Sequence, residues 1–273
     1  MRTTAFGVVL LAVACTPVRP GIQLPGGPGV PLPDHAAFWE RVSAPCRGIR
    51  TMEFVLVLGG RSGDTTLRRT RMRAAAQRPA SLRIEALAPF GAPVFVFVAR
   101  DDHATLLLPR DRQVVHAARP ADVLHALAGL ALDPADVHAL LTGCLEPDPV
   151  AVSARRHDDG AVAVDLQGGT TAYVREPGDR PVVVAARRGD LSVEYSDHVR
   201  GLPRRFRILV EGHEGGADLT ANLSRVNMNT VLHPAAFRAD VPAQYTPVTL
   251  AGLRGASPLE DRTAPAAEAA GGR

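Results

Sequence analysis

From Met52 to Leu223 apolar and polar residues alternate with a period of two, in one short segment after another. That pattern puts successive side chains on opposite faces of an extended chain, which is how a half-buried β-strand reads and a helix does not. Met52, Phe54, Leu56 and Leu58 share one face of a first strand, and Leu67 and Met72 mark a second. Others follow at Leu82 and Ile84, at Val94, Val96 and Val98, and at Leu106 to Leu108. After Cys144 the alternation resumes at Val162, Val164 and Leu166, at Val182 and Val184, and at Leu191, Val193 and Tyr195. It closes with Phe206, Ile208 and Val210, then Leu219, Ala221 and Leu223. Turn residues separate these runs at Gly59 to Asp64, Asp101-Asp102, Asp158 to Gly160, Gly168-Gly169, Arg188 to Asp190 and Gly212 to Gly216. The expectation is one antiparallel sheet of about ten strands.

Helical spacing occurs in three places. Asp34 to about Ala44 contains Trp39, with Asp34 as the expected cap; Pro120 to Leu130 and Pro134 to Thr142 form a pair split at Asp133-Pro134. So large a sheet tends to curl. With the helical pair over its hollow side, the fold class is α+β and mainly antiparallel: an open half-barrel with a helical lid and an apolar cavity. The Val94 to Ala99 strand is apolar on both faces, since Phe95 and Phe97 alternate with the valines. Either both faces are covered or one lines a cavity.

The chain begins with Arg2 and an apolar run from Ala5 to Ala14, too short for a permanent membrane span. Leu11-Ala12-Val13-Ala14-Cys15 looks like a bacterial lipobox, in which Cys15 is acylated and becomes the mature amino terminus; the other reading is a plain secretory signal with an incidental cysteine. Thr16 to Pro33 is rich in Pro and Gly and reads as a tether. The domains are therefore 1–15 signal, 16–33 tether, 34–252 folded domain and 253–273 disordered tail. Cys46 and Cys144 have no C-x-x-C spacing, so in an oxidising compartment they read as a disulfide, or as two separately buried thiols.

All 31 basic residues are arginine, against 28 acidic ones, and aromatic residues make up 4% of the chain. Such a spread charge lacks the clustered basic face and stacking aromatics of a nucleic-acid binder. No G-x-S-x-G, H-E-x-x-H or phosphate-loop motif occurs, and the Asp101-Asp102-His103 and His157-Asp158-Asp159 triplets fall in expected turns. No enzyme, metal or cofactor is expected. Arg69, Arg71 and Arg73 share one strand face, which either meets lipid head groups or is solvated and paired with acidic neighbours.

The stretch from Ser81 to Gly143, SLRIEALAPFGAPVFVFVARDDHATLLLPRDRQVVHAARPADVLHALAGLALDPADVHALLTG, resembles the central segment of the outer-membrane lipoprotein receptor family LolB. It has a strand, a Pro-apolar-Gly loop, a strand, a hairpin and two short helices ending near a Gly. Trp39 with the strand from Arg50, and Gly201-Leu202-Pro203 leading into Phe206-Arg207-Ile208, resemble other parts of that family. Phe237 to Pro242, followed by Val248 and Leu250, is more like the end of the related carrier LolA. The resemblance spans most of residues 35 to 250.

It implies an open antiparallel barrel under a helical lid, holding lipoprotein acyl chains without nucleotide or metal. In that family a bulky apolar residue at the loop tip acts in membrane insertion; the matching position here is Phe90, between Pro89 and Gly91, where the family has leucine. The alternative is Phe90 folded back onto the core. Thr16 after the acylated cysteine agrees with outer-membrane delivery, since aspartate there signals inner-membrane retention. The expected function is a monomeric, outer-membrane-anchored lipoprotein facing the periplasm. It would bind acyl chains of lipoproteins or other lipids, with a LolA-like carrier as partner, and help insert them into the outer membrane. The alternative is an envelope structural or adaptor protein retaining the fold without transfer. The expected cavity residues are Phe54, Leu56, Val94, Val96, Leu124 and Leu127.

Overall fold

The computed structural model describes residues 23–145, 149–178, 180–212, 216–254 and 258–259. Cys15 and the expected signal lie outside them. The first half carries strands β1 (Val30–Pro31), β2 (Thr51–Ser62), β3 (Thr65–Gln77), β4 (Ser81–Ala86), β5 (Phe95–Arg100), β6 (His103–Leu108) and β7 (Gln113–Ala118), with helix α1 (His35–Arg47) after β1. Helices α2 (Pro120–Ala128) and α3 (Pro134–Thr142) come next. Then follow β8 (Ala151–Arg156), β9 (Val162–Leu166), β10 (Thr170–Arg175), β11 (Val182–Arg188), β12 (Leu191–Ser196), β13 (Arg205–Val210) and β14 (Ala217–Met228). A 3₁₀ turn (Pro234–Phe237), β15 (Thr246–Pro247) and α4 (Leu250–Arg254) complete the elements of the described residues.

All fifteen strands form one sheet, in the order β1-β8-β9-β10-β11-β12-β13-β14-β2-β3-β4-β5-β6-β7-β15. Pairing is antiparallel throughout except where β15 runs parallel to β7. β1 and β15 are the edges and do not pair with each other, so the sheet is open. Two meanders are joined at the centre by the long strands β2 and β14, which pair from Met52–Met228 to Ser62–Ala217.

Fifteen strands replace the expected ten because five carry weak alternation. β1 and β15 have two residues each, β8 buries only Ala154, β10 turns Thr170, Ala172 and Val174 inward, and β7 has adjacent valines. Small or polar inward side chains raise no period-two hydrophobic signal. Gly59 and Gly60, expected in a turn, lie within β2 at a bulge, and the hairpin turns at Gly63-Asp64. Gly60 takes φ 146°, and a Cβ there would stand 2.1 Å from the Asp218 carbonyl oxygen, so β14 can approach only glycine.

The strand order positions the helices. β7 and β8 lie at opposite ends of the sheet with only two-residue strands outside them, so the chain between them must cross its whole width. α3 contacts β3 and β4 on one side and makes the Asp136–Arg188 ion pair (3.3 Å) to β11 on the other. β11 and β3 are five strand spacings apart, about 24 Å if flat, whereas a helix is about 10–12 Å wide. The sheet therefore curls around α3.

Both lid helices are locally specified. Each has Pro at its first position, and α3 has a capping box in which Asp136 accepts from the Asp133 backbone N–H at 3.2 Å. Gly129 and Gly143 close them in the left-handed region, at φ 73° and 68°. In α1 the expected cap Asp34 makes no side-chain hydrogen bond, and the helix is held by burial of Phe38, Trp39 and Val42. Each such side chain contributes about 1.5–3 kcal/mol. Trp39 Nε1 also donates to the Pro149 carbonyl at 2.7 Å.

Three expectations need correction. Within the expected tether, Val30–Pro31 pair with Arg156 and Arg155, and Leu32 packs on the core, because β8 leaves an edge to be covered. The tail expected from residue 253 brings Leu253 and Leu259 into the core, with α4 against α2. A one-turn apolar element has too little sequence to show periodicity. The third is the placing of Val96 in the cavity, because β5 takes the first of its two readings and is covered on both sides. Phe95, Phe97 and Ala99 face the main core under the helices, whereas Val96 and Val98 join Leu107 and Val114 beneath Ala239, Val241 and Tyr245 on the other face. Val96 therefore does not line a cavity under the lid.

Candidate functional site

Phe90 is the most exposed aromatic side chain among the described residues, 90% accessible at the tip of the β4–β5 connection. The loop is short and starts from two strands already paired, with Leu87 N–H bonded to Arg71 O and Val94 N–H to Ala86 O. Gly91 at φ 78° turns the chain back beside it, with no atom within 4 Å of where a Cβ would lie. Phe90 is therefore held out from the core, not folded onto it.

Beside this loop lies a groove of about 710 Å³. It forms because β4, β5 and β6 stop while the β2–β3 hairpin runs on. Its walls include Leu87, Ala88, Pro89, Val94 and Leu108, with Leu259 supplied by the returning chain; Val94, Leu108 and Leu259 are continuous with the main core. Arg68, Arg69, Thr70 and Arg71 of β3 and the Arg110-Asp111 turn complete it. The groove is amphipathic, with an apolar floor and a basic margin. Its volume falls within the roughly 300–1,000 Å³ of ligand pockets.

The space under the lid is different. Between α3 and strands β10 to β12 there is an apolar recess of about 60 Å³, bordered by Leu132, Leu140, Ala186, Leu191, Val193 and Tyr195 and closed at the rim by Asp136 and Arg188. That is the room of about two water molecules. The buried Tyr195 hydroxyl has no hydrogen-bond partner among the described residues, and burial pushes its pKa up.

The expected cavity residues are divided by the fold. Phe54, Leu56 and Leu127 are packed in the main core, Val94 and Leu124 are half-buried against it, and Val96 is on the opposite face. Of the six, Val94 alone borders the groove, and none borders the recess. The groove residues Leu87 and Leu108 and the arginines Arg68 and Arg110 carry no motif. Only the strand pairing of β3 with β4 and the return of Leu259 gather them.

Cys46 and Cys144 form a disulfide, with Cα atoms 5.6 Å apart. It joins the end of α1 to the residue after the αL cap of α3. Next to it is a cavity of about 150 Å³ shared by Arg78, Ala135 and His138. His138 is buried with Nε2 unpartnered among the described residues; burial, and secondarily the Arg78 charge, lower its pKa to about 4. In the unfolded chain it titrates near 6.5, so between these values the unfolded state binds the extra proton. Stability from the neutral imidazole is complete above about pH 6.5 and falls as pH drops to about 4, by on the order of 3 kcal/mol. His138→Leu is expected to reduce the fall in urea midpoint between pH 7 and pH 4.5; an unchanged pH profile would contradict this assignment.

The two histidine triplets differ, the first being local and the second tied to a residue far away in the chain. His103 pairs with Asp102 at a hairpin turn, and His157 Nδ1 lies 3.1 Å from the Gly26 carbonyl. Among the described residues no three acidic, His or Cys side chains converge as a metal site. Of the arginines sharing a face of β3, Arg73 pairs with Glu85 at 3.2 Å, whereas Arg69 and Arg71 line the groove.

No protein-family model matches this chain, and no curated protein matches it. Similar solved structures include a LolA superfamily protein from Nitrosomonas europaea, 11% identical over 72% of this chain and 96% of that one, with a TM-score of 0.46. A DUF1329 family protein from Desulfovibrio piger is 14% identical over 75% and 95%, at 0.48. The Mycobacterium tuberculosis lipoprotein LppX is 12% identical over 73% and 98%, at 0.32.

Proposed function

We propose that this protein is a lipid-handling envelope protein, anchored through an acylated Cys15 in the outer membrane and facing the periplasm. It takes up acyl chains of lipoproteins or other lipids, from a LolA-like carrier, and helps insert them into the membrane without enzymatic chemistry. The observation that carries the reading is the pairing of Phe90, 90% exposed, with the amphipathic groove at its side. An exposed phenylalanine is unfavourable in water and favourable at a bilayer surface. A groove with an apolar floor and a polar margin suits a chain that ends in a polar group.

A second reading has its own support. The recess under the lid is about 60 Å³, and the main core is filled by its own side chains, including the fully buried Phe97, Phe206 and Leu106. That would suit a structural or adaptor protein that keeps the fold and carries nothing. An environment-sensitive apolar dye separates the two readings, using soluble protein that begins after Cys15. Stoichiometric binding, displaced by acylated peptide and weakened by Val94→Asp, is expected for the lipid-handling reading. No saturable binding by the folded protein would favour the adaptor. Mass spectrometry of the mature amino terminus checks the acylation of Cys15.

A further inference from the structure

We infer that the basic margin of the groove beside Phe90 is a docking site for anionic phospholipid head groups, which orients the protein on a negatively charged membrane surface. The inference rests on the lipid-handling reading and adds which lipid the groove selects. Several arginines elsewhere on the sheet are matched: Arg83 to Glu85, Arg155 to Asp165, Arg175 to Asp159 and Arg207 to Asp218. Among the described residues no carboxylate lies within ion-pair distance of Arg69, Arg71 or Arg110, although all three line one groove. Among the described residues that line it, Asp111 is the single acidic one.

Among the described residues, Arg69, Arg71 and Arg110 against Asp111 therefore leave the margin with a net positive charge. Guanidinium groups bind phosphate oxygens through paired N–H donors, and a phosphodiester at a bilayer surface offers such oxygens. The neighbouring apolar floor and the Phe90 tip commit this charge to a lipid surface, because a site for soluble phosphate has no use for an exposed phenylalanine. Phe90 would enter the interface while the arginines meet the head groups around it.

The test is sedimentation of the soluble protein with vesicles of phosphatidylcholine alone or with about a third phosphatidylglycerol. Binding is expected to be at least tenfold tighter on the anionic vesicles and to weaken in high salt, as screening shortens the reach of the charges. Each groove arginine should contribute about fivefold, so Arg69→Gln/Arg71→Gln/Arg110→Gln together should lose about a hundredfold. A control with the same change in net charge, Arg155→Gln/Arg156→Gln/Arg175→Gln on the opposite wing, should lose little. Apolar dye binding by the groove triple variant should persist, which shows that it folds and keeps the lipid-handling reading separate. Equal losses in both triple variants would assign the binding to bulk charge and overturn the inference, as would an unchanged groove variant. Inorganic phosphate that displaced the protein more strongly than chloride of equal ionic strength would also overturn it, in favour of a free-anion site.

Discussion

Phe90→Glu is expected to leave thermal and urea unfolding within about 0.5 kcal/mol of the parent protein while abolishing transfer of captured lipoprotein into liposomes. The small stability effect follows from exposure: a side chain that is 90% accessible gives up almost no packing when replaced. Capture should survive, because the groove walls include Pro89 but not Phe90. Transfer should fail because a carboxylate resists entering the bilayer interface and is repelled by anionic head groups. Phe90→Leu should retain transfer, since leucine is similarly apolar. A loss of several kcal/mol in Phe90→Glu would instead mean that the ring packs on the core in solution, and the insertion role would be wrong. Full transfer by a stable Phe90→Glu protein would be equally damaging.

Removing the disulfide is the second large effect expected. Cys46 and Cys144 are 98 residues apart, and closing such a loop is worth about 4.7 kcal/mol in the chain-entropy model. Measured values are usually lower, so Cys46→Ser with Cys144→Ser should cost about 2–4 kcal/mol in urea unfolding. The location makes the loss specific. The bond joins α1, whose Phe38 and Trp39 are buried, to the end of the helix around which the sheet curls. Hydrogen exchange should therefore rise first in α1 and α3, ahead of the central β2–β14 pair. A cost below about 1 kcal/mol, or free alkylation of both thiols in the native protein, would contradict this.

Where local chemistry was strong, the sequence was legible. Pro120 and Pro134, the capping box at Asp133 and the closing Gly129 and Gly143 mark both lid helices without reference to anything distant. Strong alternation in β2, β9 and β12 marks strands for the same reason. Phe90 was reached through the resemblance of its Pro-apolar-Gly loop to a known family, and its exposure only through the structure. Strands with small inward residues, such as β8 and β10, gave no such signal.

The pattern by itself determined an antiparallel sheet with an inserted helical pair, because periodicity and turn chemistry are properties of neighbouring residues. It could not determine which strands lie side by side. The pairing of β14 with β2 sends β7 and β8 to opposite ends of the sheet, and only this forces α3 across the hollow face. The same assembly decided the faces of β5, since Val96 is as apolar as Phe97 and only the returning chain at Ala239 to Tyr245 shows that it is covered from the other side. It also decided the site. Arg69, Arg110 and Leu259 are far apart in the chain, and they meet because unequal strand lengths leave a step at one end of the sheet. Long-range contacts are set by the sum of many weak pairings, which no local window of sequence contains.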